Sequence, residues 1–162
     1  MKNLDDVIIN IKSSLSEIFK NDMILIDNDA NERTISSSLI SYLKERIKDY
    51  DIDSEYNRHG SELKTIESNT GQKIIIPDIV IHKRNNDRNN LVAIEIKKST
   101  NPKRKNDEEK LEALTKKDSY SYKFGILIIL DMDSPCYNSY FEIFRNGKKV
   151  KRINYNDYKN CN

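Results

Sequence analysis

The sequence predicts an α/β (α+β) domain, a mixed central sheet flanked by helices. Three observations carry that prediction. Apolar residues recur at helical spacing over the first third of the chain and at strand spacing afterwards. The run "FGILIILDMD", which opens at Phe124, is continuously apolar, as a strand covered on both faces must be. Asn146-Gly147 divides two strand-like segments near the end, a strong signal for a tight hairpin.

Leu4, Val7, Ile8, Ile11, Leu15, Ile18 and Phe19 are spaced by three and four, which defines an amphipathic helix. After a loop around "DNDAN", a second helix is expected from Asn31 to Lys48. Ile35, Leu39, Leu43 and Ile47 form its apolar stripe, and Asp29 or Asn31 supplies its N-cap. "DIDSEYNR" reads as a first strand, followed by the polar connection "HGSELKTIESNTGQK". Ile74 to His82 and Leu91 to Lys97 read as an antiparallel pair joined by the long polar tip "KRNNDRNN". "NDEEKLEALTKKD" reads as a short helix capped by Asn106, ahead of the apolar strand and the terminal hairpin.

At 162 residues, a single domain covering 1–162 is the expectation, with room for a sizeable core. Charged residues make up 33% of the chain, yet the net charge is only +2. Any contact with a polyanion therefore has to come from a local basic patch. Cys136 and Cys161 lack metal-ligand spacing and suggest a reduced intracellular protein. Asp5, Asp6, Lys12 and Glu17 interrupt the N-terminal apolar pattern, which argues against a signal peptide. No apolar run approaches the roughly 20 residues that span a bilayer. A cytoplasmic protein with no membrane partner is expected.

The chemistry concentrates in "IIIPDIVIHKRNNDRNNLVAIEIKK", residues 74–98. Glu-x-Lys triplets also occur at Glu62/Lys64 and Glu108/Lys110, so the bare triplet decides nothing. Context singles out Glu95 and Lys97: they end an apolar strand and are preceded by one that begins Pro77-Asp78. Alternation with period two puts Glu95 and Lys97 on one face, and hairpin pairing brings Asp78 close to them. Asp78 and Glu95 could then share a hard divalent cation, Mg²⁺ or Mn²⁺, while Lys97 assists the attacking water. Solvated charges at ordinary strand ends are the plainer reading of the same residues.

"PDIVIH…LVAIEIK" resembles the signature of the PD-(D/E)XK nuclease superfamily, the restriction endonuclease-like group. The resemblance covers roughly residues 30 to 131. It implies a helix-strand-strand-strand-helix-strand core, which matches the order of elements above, and Mg²⁺-dependent hydrolysis of phosphodiester bonds with DNA as the expected substrate. It also implies an acid on the first core helix that completes the metal site, and Glu32 fits as that third metal ligand because it shares the inward face of Ile35 and Leu39. The helix dipole would favour an acid there in any case.

Other candidates carry less. His82 lies about 13 Å along the strand from Asp78 and reads as a surface histidine at a strand end. Arg58 and Lys64 read as solvated charges near loops. Lys97, Lys98, Lys103, Arg104 and Lys105 form a denser basic run, placed where a polyanion would approach. Nucleotide-binding glycine loops, zinc spacings and GxSxG are absent from the sequence. The competing readings are a nuclease fold that binds nucleic acid without cutting, or a protein-interaction module of a bacterial defence or mobile-element system. Cutting both strands of a duplex would favour a homodimer.

Overall fold

The computed structural model describes residues 3–60, 62–68, 71–84 and 89–157. Helix α1 (Leu4–Asn21) is capped by Asn3, whose side chain accepts the Asp6 N–H at 2.8 Å. The predicted loop after it contains a short helix, α2 (Met23–Asp27). Helix α3 (Glu32–Arg46) is capped by Asn31, which accepts from Thr34 N at 2.9 Å. Ile35, Leu39, Leu43 and Ile47 are buried as the periodicity requires.

The segment between α3 and the site is more divided than its sequence suggests. The first strand stops at Ser54 (β1, Asp51–Ser54), because Glu55 turns with φ +49°. The expected polar connection instead forms two small antiparallel ladders. They pair β2 (Arg58–His59) with β3 (Glu62–Leu63), and β4 (Thr65–Ser68) with β5 (Gly71–Ile74). The expected strand Ile74 to His82 is therefore broken, and only β6 (Ile79–His82) joins the main sheet. Ile75 N donates to Lys64 O, so the chain serves the ribbon before Pro77 redirects it.

Strand β7 (Val92–Lys98) pairs antiparallel with β6, with Ile79 opposite Ile94 and Ile81 opposite Val92. Residues 85–88 of its connecting tip lie outside the described residues. Helix α4 (Lys105–Thr115) starts two residues earlier than expected, with Arg104 rather than Asn106 at the N-cap and no side-chain cap bond. It leads to β8 (Phe124–Leu130), buried throughout and parallel to β7. A short turn of helix, α5 (Pro135–Asn138), precedes β9 (Tyr140–Arg145) and β10 (Lys148–Asn154). Asn146 and Gly147 both take positive φ in the turn between them, as the Asn-Gly pair predicts.

The main sheet has the order β1-β6-β7-β8-β9-β10. One face packs Ile94, Ile96, Ile126, Ile128, Phe141 and Ile143 into the core made with α1 and α3. The other face, carrying Val80, Ala93, Leu127, Ile129 and Phe144, is covered by Leu111 and Leu114 of α4. Gly125 permits that cover to close. A Cβ there would stand 3.1 Å from Phe144 Cβ and 3.2 Å from Leu111 Cβ. The domain is thus a mixed α+β structure with a six-stranded mixed central sheet flanked by helices. No helix among the described residues is long and apolar enough to cross a membrane.

Candidate active site

Extending the β6–β7 ladder by one step puts Asp78 opposite Glu95. Asp78 Oδ2 accepts the backbone N–H of Ile96 at 2.8 Å, which fixes the carboxylate against β7. Glu95 is fully buried on the α4 face, and its Oε1 has no hydrogen-bond partner. Its Oε2 accepts from Lys110 Nζ at 2.6 Å. Burial pushes the Glu95 carboxyl well above its ordinary range, and repulsion from Asp78 adds to the push, while Lys110 opposes it. Burial also raises Asp78, against the Ile96 N–H that favours its ionised form. The charge of half-buried Asp78 thus disfavours ionisation of buried Glu95.

Lys97 projects from the same face of β7, yet it does not sit at an exposed strand end. Its side chain is only 17% exposed, and its Nζ lies 2.8 Å from Glu32 Oε2 and 3.5 Å from Asp107 Oδ2. Burial pulls the ammonium down, but the bond to Glu32 and the charge of Asp107 outweigh it and hold Lys97 above its usual range. Glu32 is fully engaged as well. Its Oε1 accepts from Lys98 N at 3.1 Å and from Asn101 Nδ2 at 3.3 Å. The structure brings Asp78, Glu95, Lys97 and Glu32 into one neighbourhood, with Glu32 linked to Glu95 by the chain Lys97, Asp107 and Lys110.

Two members of the cluster were not foreseen. Asp107 and Lys110 project from α4 towards the sheet, and Lys110 Nζ bridges Glu95 and Asp107, the latter at 3.0 Å. Lys110 belongs to one of the Glu-x-Lys triplets that looked coincidental. The signal was present: Asp107 precedes Leu111 by four residues and Lys110 precedes Leu114 by four, so both charges share the apolar stripe of α4.

Other expectations need correction. His82 is buried, not a surface residue, and its Nε2 lies 2.9 Å from Asp53 Oδ2. Tyr56 packs against its ring at 4.6 Å between centroids. Lys64 is buried too, donating to Tyr56 O at 2.8 Å beneath the Tyr56 ring. It fastens the ribbon to the core instead of meeting solvent. Arg58 is exposed. In the basic run, Lys98 is held by Asp29 O at 2.8 Å, whereas Lys103 and Lys105 point to solvent. Cys136 is partly buried, and Cys161 lies outside the described residues.

Asp78 and Glu95 suit a divalent cation. The orphaned Glu95 Oε1, next to Asp78, is an acceptor left without a hydrogen bond, although Lys110 already pairs with the other oxygen. Among the described residues no three His, Cys, Asp or Glu side chains are gathered into a metal-binding group. A hard cation such as Mg²⁺ commonly takes only one or two carboxylates.

No family model matches the chain, and neither does any curated protein. Among solved structures, a chain of the DrdV–DNA complex, determined by electron cryo-microscopy, is similar with a TM-score of 0.52 and 14% identity. The likeness covers 94% of this chain and 12% of that one, so this chain spans a small part of the larger protein. At that identity the likeness is one of fold.

Proposed function

We propose that this chain is a metal-dependent nuclease that hydrolyses phosphodiester bonds in DNA. The observation that carries the reading is the placement of half-buried Asp78 opposite fully buried Glu95 across the β6–β7 ladder, with Lys97 on the same strand face. The fold likeness to a chain of the DrdV–DNA complex supports DNA as the partner. Asp78 and Glu95 would hold Mg²⁺ or Mn²⁺, and the ion would supply Lewis-acid stabilisation of charge developing on the phosphate. Lys97 keeps its ammonium charged beside that corner and offsets negative charge as the water attacks. Glu32 holds Lys97 in place and ties the end of β7 to α3, so its contribution to the ion is indirect.

A second reading, a nuclease fold that binds nucleic acid without cutting it, is favoured by Lys110. Its ammonium already supplies Glu95 with a cation. One experiment separates the two: labelled DNA and RNA, single- and double-stranded, incubated with Mg²⁺ or Mn²⁺. Cleavage by the wild type and none by Asp78→Asn is the expected result. Binding without cleavage at any metal concentration would put the second reading first.

A further inference from the structure

The α4 face of the sheet carries a row of residues beyond the acids. Residues directly opposite one another across strands share a face. Glu95 is opposite Leu127, Leu127 opposite Glu142, and Glu142 opposite Arg152. In the next row, Lys97 is opposite Ile129, and Ile129 is opposite Tyr140. Arg152 on the edge strand and Tyr140 beside it therefore stand on the same face as the acids and Lys97.

These residues are built into one unit. The Arg152 guanidinium carbon lies over the Tyr140 ring, 3.4 Å from its centroid. The hydroxyl of Tyr140 accepts from Arg104 Nη1 at 2.7 Å. Arg104 is itself pinned, donating from Nη2 to Ser99 O at 2.8 Å and from Nε to Asn101 O at 3.3 Å. Lys103 and Lys105, which flank Arg104 in the chain, are exposed. Neighbouring acids are already engaged. Lys149 holds Glu108 at 3.0 Å and Glu142 at 3.1 Å, and Asp131 Oδ1 accepts the N–H groups of Asp133 and Ser134. Arg152 has no carboxylate partner among the described residues.

We propose that Arg104, Tyr140 and Arg152 form a clamp on the sugar–phosphate backbone of the bound nucleic acid, to one side of the scissile bond. The proposal rests on the nuclease reading for its substrate. A guanidinium fixed on an aromatic face loses little freedom on meeting a phosphate, and its planar fork matches the phosphate oxygens. Three strand spacings separate β7 from β10, about 14 Å. That is roughly four base pairs of duplex at 3.4 Å each. The clamp thus acts about four nucleotides from the cut, with Lys103 and Lys105 on the approach.

The test measures binding of a short labelled duplex by fluorescence anisotropy across a salt series, with Ca²⁺ in place of Mg²⁺ so that binding is read without turnover. Arg152→Gln should reduce the slope of log affinity against log salt by about one and weaken binding similarly for every sequence. Arg152→Lys, which keeps the charge, should restore the slope. Lys20→Gln, at an exposed position near the end of α1, should leave it unchanged. Arg104→Gln loses three structural bonds as well, so exposed Arg152 is the deciding position. Wild-type binding with an unchanged slope in Arg152→Gln overturns the clamp and leaves the nuclease reading standing. A wild type that shows no salt-dependent binding at all overturns both.

Discussion

Lys110 Nζ lies 2.6 Å from Glu95 Oε2, an ion pair between α4 and β7 in which the side chains are 13% and 1% exposed. Both charges have left water, and each is tolerated because of the other. Asp107, 3.0 Å from the same ammonium, completes the arrangement. The lysine therefore neutralises charge that, on the nuclease reading, a divalent cation would neutralise.

Removing that lysine should have two opposite effects. Lys110→Met leaves Glu95 buried beside Asp78 without its cation, and breaking a buried pair from one side costs several kcal/mol. Protonation of Glu95 recovers part of this, so a loss of about 2–3 kcal/mol is expected in urea unfolding without metal. Affinity for Ca²⁺ or Mn²⁺, measured by calorimetry, should rise because the competing ammonium is gone. Equal metal affinity in the two proteins would show that Lys110 does not compete for the acids.

Much of this was legible in the sequence, for identifiable reasons. The β8 run and the Asn146-Gly147 turn are local signals, and local signals survive tertiary context. The proximity of Asp78, Glu95 and Lys97 was legible because strand alternation and hairpin pairing are short-range geometry. The ribbon of β2 to β5 was not found. Its strands are two and four residues long, too short for any period to show. Lys64 and His82 were misplaced for a different reason. Each is buried by residues far along the chain or across the sheet, Lys64 between Tyr56 and Tyr122 and His82 against Asp53. Lys110 shows the limit most clearly: its partner is fifteen residues away on another element, and only the fold brings the two together.

Divalent cations should stabilise the wild type. A ligand bound only by the folded state adds about 2.7 kcal/mol at one hundred times its dissociation constant. Melting temperature should therefore rise with millimolar Mg²⁺ or Mn²⁺, and Asp78→Asn should abolish most of the rise. Glu32→Gln should keep it while lowering the baseline by about 1 kcal/mol, since its hydrogen bonds hold Lys97 and Lys98 rather than the ion. Loss of the metal response in Glu32→Gln would instead make Glu32 a ligand.

Lys97→Met should reduce cleavage about 100-fold or more, the usual consequence of losing one donor to developing charge. It should also destabilise the protein, because Glu32 and Asp107 lose their shared cation. About 1 kcal/mol is expected, since both acids keep other partners and Glu32 is partly solvated. The two effects separate cleanly at a temperature well below the melting midpoint. Wild-type rates in folded Lys97→Met would remove Lys97 from the chemistry.

The far end of β6 provides a pH test independent of the acids at the site. Asp53 accepts from His82 Nε2 and from Arg84 Nε, each at 2.9 Å, and Arg84 Nη2 closes the fork on its other oxygen. The Arg84 bond, helped by His82, lowers the Asp53 carboxyl from 3.8 to about 2, against the opposing effect of burial. A depressed acid contributes stability that is present above its unfolded value and lost as pH falls through its folded one. The window is therefore from 3.8 down to about 2. Arg84 is exposed, so solvent screens the pair and its worth is about 1 kcal/mol. Asp53→Asn should cost that amount at neutral pH, and the two unfolding curves should converge as the medium is acidified to the bottom of the window. High salt should shrink the difference at neutral pH as well. A gap between wild type and variant that stays constant from neutral to acid pH would mean that Asp53 acts by packing and hydrogen bonding alone, without its charge.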